Sequence, residues 1–254
     1  MRVVRLCAAA VLMAGVAVAA QPPGGGRGGM QRGGGGNTGP ANLVSSKTVL
    51  ADLKATDEQT GKLKIWASEW GTKQRETMKD RFQDLQGLEP AERAKKMGEW
   101  QAEASTKAYK ELGEVLKPEQ VTRLQQIEVQ AAGARAFQMP AVQTALKLTD
   151  EQTDKLKDAA DALRKEVGEL QQEMGLGGGA GGGKVARPDP AKQAEFQKKS
   201  AGMTKEFMGK VDGMLTADQK MSWKGLTGEA IDVAKVTAEA QAAMMAQFQR
   251  KKDD

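Results

Sequence analysis

Apolar side chains recur along most of this chain at the spacing of a helix face. Leu156, Ala160, Leu163, Val167, Leu170 and Met174 step by four, three, four, three and four residues, the alternation of a seam between packed helices. A returning helix follows in Phe196, Met203, Phe207, Val211 and Met214. An earlier pair reads the same way. Leu63, Trp66, Trp70, Met78, Phe82 and Leu85 mark the outgoing helix, with polar Gln74 and Thr77 between, and Met97, Trp100, Ala104, Ala108, Leu112 and Val115 mark the return. Trp223, Leu226, Ala230, Val233, Met244 and Phe248 then carry the pattern into a charged end, Arg250–Asp254. No series of strands and turns interrupts it. The pattern predicts an all-α fold.

The two helix pairs are copies of one another. Val49–Lys64 reads VLADLKATDEQTGKLK and Val142–Lys157 reads VQTALKLTDEQTDKLK, a shift of 93 positions. Further on, Val115–Gln120 matches Met214–Gln219 at a shift of 99. The six extra residues fall in the glycine-rich stretch 175–183, which lengthens the second hairpin turn where the first uses Gly87-Leu88-Glu89-Pro90. The expected organisation is therefore two tandem four-helix hairpin units, 43–133 and 137–232, followed by a helical, charged tail at 233–254. Pairing of the units within one chain predicts an intramolecular pseudo-dimer that is monomeric in solution.

Four short motifs stand at equivalent places: Ala55-Thr56-Asp57-Glu58-Gln59, Leu116-Lys117-Pro118-Glu119-Gln120, Leu148-Thr149-Asp150-Glu151-Gln152 and Leu215-Thr216-Ala217-Asp218-Gln219. Their local physics is a helix start. A Thr at the N-cap accepts from a free backbone N–H, and the Gln three residues on reaches back to the cap's own N–H. Acids in the first turn complement the helix dipole. Pro118 needs no N–H at a first helical position, so the copy at Lys117 keeps the start without the Thr. Thr56, Gln59, Gln120, Thr149, Gln152, Thr216 and Gln219 are the expected capping residues. As caps alone, Thr149 should be worth more than Gln152.

Four such motifs, placed twice in the same order around a hairpin, resemble the LTxxQ-motif family of periplasmic chaperones and stress proteins, the Spy/CpxP-like group. The resemblance covers most of residues 43–232 and implies a four-helix unit with one motif near each end. Family members usually carry one unit and pair into a cradle-shaped dimer, whereas this chain holds two. It also has Ala55 where the family prefers Leu and Lys117 where it prefers Thr.

Composition narrows the function. Arg2, Arg5, the apolar run Leu6–Val18 and the small residues Ala17-Val18-Ala19-Ala20 read as a signal peptide at 1–20, cut after Ala19 or Ala20. That implies a periplasmic or secreted protein, and no later run approaches the ~20 apolar residues that cross a bilayer. Residues 21–42 hold ten glycines and three prolines and read as a disordered leader. Cys7 leaves with the signal, and the chain has no His, so no Ser-His or Cys-His pair and no imidazole or thiolate metal site remains. The net charge of +5 falls to +3 once Arg2 and Arg5 leave, and export removes ordinary nucleic-acid partners. Gly178-x-x-x-x-Gly183-Lys184 imitates a phosphate-binding loop, but Val185 stands where Ser or Thr would hold magnesium. No catalytic, cofactor-binding or metal-binding residue is expected.

What remains is binding. Eight of the thirteen methionines lie at or beyond Met139, either as an adaptable surface or as filler in a core poor in aromatics. Met203, Phe207 and Met208, on a helix that also carries Lys198, Lys199, Lys205 and Lys210, form the expected client-binding strip. The leading expectation is an ATP-independent chaperone or envelope-stress binding protein for unfolded or envelope proteins. The competing one is a non-catalytic scaffold for one fixed envelope partner.

Overall fold

The computed structural model describes residues 38–176 and 189–253, and over them the chain is all-α. In order run α1 (Pro40–Leu43), α2 (Lys47–Asp52), α3 (Asp57–Arg81), α4 (Pro90–Leu112), α5 (Pro118–Ala132), α6 (Pro140–Leu146), α7 (Asp150–Glu173), α8 (Pro190–Met214), α9 (Ala217–Thr227) and α10 (Val233–Asp253). Short 3-10 turns lie at Gln83–Leu85 and Gly133–Gln138. Each proline whose placement is described opens a helix: Pro40, Pro90, Pro118, Pro140 and Pro190. The ring fixes φ where the helix begins and gives up an N–H that would have had no partner. Residues 1–37, with the expected signal peptide and most of the expected leader, and residues 177–188, with most of the glycine-rich insert, lie outside the described residues.

Long helices α3 and α4 form one hairpin, α7 and α8 the other. Indole Nε1 of Trp66 donates to Glu111 (2.8 Å) across the first, and Arg81 bonds Glu103 (2.9 Å) while lying over the Trp100 ring. Ahead of each hairpin, the chain turns at a lysine with φ of 51°, Lys54 after α2 and Lys147 after α6. Ala55 N–H reaches Leu50 O (3.0 Å) and Leu148 N–H reaches Gln143 O (3.1 Å), the long bond that closes a left-handed helix end.

Two apolar cores result, each drawing on both ends of its repeat. The first gathers Val49, Leu53, Leu63, Ala67, Leu112 and Leu116, and the second their counterparts Val142, Leu146, Leu156, Ala160, Val211 and Leu215. The cores borrow across the repeat boundary. Val129 of α5 is buried in the second core, and Val236 of α10 in the first. Helix α5 also packs along α9, and α10 folds back on α1 and α2.

Both ends of the chain's described part pack into the first core. Pro40 and Leu43, expected within or beside the leader, are buried helix residues. The helical, charged tail expected at 233–254 is a helix over Val233–Asp253, and it is docked through Val236, which is 1 % exposed. Val236 sits near the start of this helix, well before the charged end.

Candidate functional site

The cap glutamines act beyond their own helices. Thr56 Oγ1 accepts from Gln59 N–H (3.1 Å) and Gln59 Oε1 accepts from Thr56 N–H (3.0 Å), a complete capping box. The same Gln59 amide then donates to Gln120 Oε1 (2.8 Å) and to Val115 O (3.0 Å). Gln120 answers, donating to Gln59 Oε1 (3.3 Å) and Leu53 O (2.9 Å) while its Oε1 holds Lys117 N–H (2.9 Å). Lys117 offers no acceptor, so its cap keeps only this returning half. In the second unit Gln152 and Gln219 exchange two 2.9 Å bonds, each Oε1 also accepting from its cap, Thr149 or Thr216. Both of those threonines accept in turn from the glutamine N–H.

The paired motifs thus meet where the hairpin closes, tying the start of the outgoing long helix to the start of the short helix after the return. Only an amide suits this contact, because each side must donate and accept at once. Two carboxylates would face each other as acceptors. Capping chemistry alone does not foretell the coupling, since the partners lie 61 and 67 positions apart.

A third polar assembly joins the repeats. Arg123, Gln126 and Gln130 lie on one face of α5 and hold the last turn of α9 and the backbone that follows it. Arg123 grips Asp52 through two bonds (2.6 and 3.0 Å) and donates to Glu229 O (2.8 Å). Gln126 donates to Gly225 O (3.0 Å), and Gln130 donates to Thr227 O and Glu229 O while accepting from Ile231 N–H (3.0 Å). Gly228 completes the turn at φ of 62°, where a Cβ would come within 2.2 Å of Gln126 Oε1. Sequence reasoning singled out none of these residues. The available signal was three long polar side chains, spaced three and four apart, on one side of a helix that also carries Leu124, Ile127 and Val129.

Helix α10 is latched by a carboxylate. Glu239 accepts from Ser46 Oγ (2.6 Å), Thr48 N–H (2.8 Å) and Thr48 Oγ1 (3.1 Å), which supplies a negative charge at the start of α2. The Ser46 hydroxyl, followed by the Thr48 backbone, holds this carboxyl below its usual range. Glu128 is the opposite case. It accepts from Tyr109 Oη (2.5 Å) between α5 and α4, and burial pushes its carboxyl up, against the effect of that hydrogen bond. Burial, and then the charge of Glu128, push the Tyr109 hydroxyl far above its usual range.

The expected client-binding strip is not an open surface. Phe207 is 3 % exposed, sits in the second core and meets the Phe137 ring at 6.2 Å. Phe137 in turn stacks on Trp223 at 4.4 Å. Met208 packs against the same core, and Met203 lines a shallow cleft between α7 and α8 with Leu163, Glu166 and Lys210. The correction has a physical cause: the wide apolar face of α8 meets both α7 and the segment Gly133–Gln138, not α7 alone.

Open apolar surface lies instead at the far end of the first hairpin. Met78 is 43 % exposed, Phe82 45 % and Met97 38 %. Phe82, the C-cap of α3, follows Met78 by one turn and donates its N–H to the Met78 carbonyl, and Met97 lies one turn before Trp100 on α4. The cation of Arg81 above Trp100 marks where the two helices meet. Below this end the same hairpin packs Trp66 on Trp70 at 5.5 Å and holds Leu63, Ala67 and Leu112 in the core, while Ile65 is 63 % exposed.

Among the described residues no three acidic side chains gather as a metal site, and no helix is long and apolar enough to cross a membrane. No family model, curated protein or solved structure matches the chain.

Proposed function

We propose that this chain is an exported, ATP-independent holding protein of the LTxxQ type that binds unfolded protein segments and catalyses no reaction. The observation that carries this reading is the apolar arm formed by Met78, Phe82 and Met97 above a packed hairpin base. Methionine and phenylalanine side chains of this kind adapt to many partner shapes. The glutamine couplings hold the arm's base rigid, so the surface stays displayed at little entropic cost. Export rests on the signal-like residues 1–20. The packing of α5 on α9 supports an internal pairing of the two repeats that takes the place of a dimer, so the purified chain should be monomeric, which light scattering checks.

Delay of aggregation of a reduced or heat-unfolded model protein tests the reading. The parent should delay it at molar excess. Phe82→Ser should retain the thermal midpoint and lose most of the delay. Phe207→Ser should lower the midpoint, because it places a polar group in the second core. A parent that never delays aggregation ends the holding function and leaves a scaffold with one fixed envelope partner.

A further inference from the structure

We propose that Met78 and Met97 are reversible oxidation sites through which two-electron oxidants, peroxide among them, erase the apolar surface of the first hairpin's arm. That this surface is the binding arm rests on the function proposed above; the chemistry does not.

The thioether is the soft nucleophile this chain has in quantity, since it carries thirteen Met against one Cys and no His. In the reaction the sulfur attacks one peroxide oxygen, the O–O bond breaks and an S–O bond forms. Sulfur loses two electrons, and the other oxygen leaves as water. Access decides which methionine reacts. Met78 and Met97 are exposed, whereas Met139, Met174, Met203, Met208 and Met214 are half-buried. A sulfoxide is polar and chiral, and it demands hydration where a flexible apolar group stood. With Phe82 beside them, the two methionines make up most of the arm's open apolar surface, so two oxygen atoms suffice to change its character. Neither lies in a core, so the fold should survive the change. Met221 is 68 % exposed but sits on α9, away from the arm, and serves as an internal control.

The test treats the full chain with hydrogen peroxide, maps sulfoxides by peptide mass spectrometry and follows binding of an environment-sensitive apolar dye. Met78, Met97 and Met221 should convert before the half-buried methionines. Dye fluorescence should then fall while helix content is unchanged, and methionine sulfoxide reductases should restore it. Each protein is scored as its own ratio of signal after to before treatment. This ratio should fall in the parent and in Met221→Leu, and should stay near one in Met78→Leu/Met97→Leu. Conversion of Met78 and Met97 no faster than Met203 and Met208 would overturn the assignment. So would an equal fall in parent and double variant. Failure of the unoxidised parent to delay aggregation counts against the proposed function alone, because mass spectrometry and dye binding still decide this one.

Discussion

A glutamine that closes a cap and also grips a second cap is worth more than the cap hydroxyl beside it. Thr149→Ala removes one acceptor at an exposed helix start and should cost ~1 kcal/mol, the usual scale for a lost cap. Gln152→Ala also strips Met214 O, the Thr149 N–H and both bonds with Gln219 of their partner. It should cost more, about 2 kcal/mol, since part-buried groups are left unsatisfied. This reverses the order that capping alone predicts. Urea midpoints of the two variants measure it, and a Gln152→Ala change milder than Thr149→Ala would show the coupling to be energetically idle. Half-buried Glu128 gives a pH signature of its own. Burial raises its folded-state pKa above the unfolded value, so the folded chain holds the proton more tightly. Its contribution is therefore most favourable below the ordinary carboxylate pKa of 4.5 and is lost as pH rises through the folded value. Glu128→Gln, which keeps an acceptor for Tyr109, should raise the thermal midpoint at neutral pH. The gain should shrink as the pH is lowered toward 4.5; a gain independent of pH would exclude burial of the charge as its source.

The latch between α10 and α2 has the opposite sign, and its effect is felt by a whole element. Glu239 has a lowered folded-state pKa, so its stabilisation is present above the ordinary carboxylate range and is lost as pH falls through the folded value. Glu239→Gln should weaken α10 docking at neutral pH and change little in acid. Amide exchange of α10 relative to α7 reads this directly. The helices themselves were readable in the sequence because the 3.6-residue period and the four cap motifs are local signals. Helix contents, the repeat and the two hairpins follow from them. Positions such as Gln59 and Gln120 carry a second role with no local trace, because an amide pair between distant segments leaves no periodic mark. The covering of the α8 strip escapes the sequence for a related reason. Apolar residues on α8 and on the far end of α3 look alike along the chain, and only the presence of the Gly133–Gln138 segment over α8 distinguishes a covered face from an open one.

At the scale of the molecule, the decisive feature is that neither repeat completes its own core. Val129 belongs by sequence to the first repeat but is buried in the second core, and Val236 follows the second repeat but is buried in the first. Arg123, Gln126 and Gln130 add a polar seam, and Gly228 admits no side chain there without moving Gln126. Two units that share core residues lose part of each other's apolar burial when one opens, so their stabilities are coupled and not merely summed. The chain should therefore unfold in urea in one cooperative transition, with tryptophan emission and helix signal coincident. The four tryptophans make this a fair test, because Trp66, Trp70 and Trp100 report the first hairpin and Trp223 the second core. Val129→Ala truncates a side chain in the shared region and should lower the common midpoint by about 1–2 kcal/mol, at the low end for losing buried methyl groups. Gly228→Ala should do so by more, through positive φ and the clash with Gln126 together. If the first hairpin's emission shifts at a different urea concentration from the helix signal, the repeats are independent units resting against each other. In that case Val129→Ala should displace only the second core's transition.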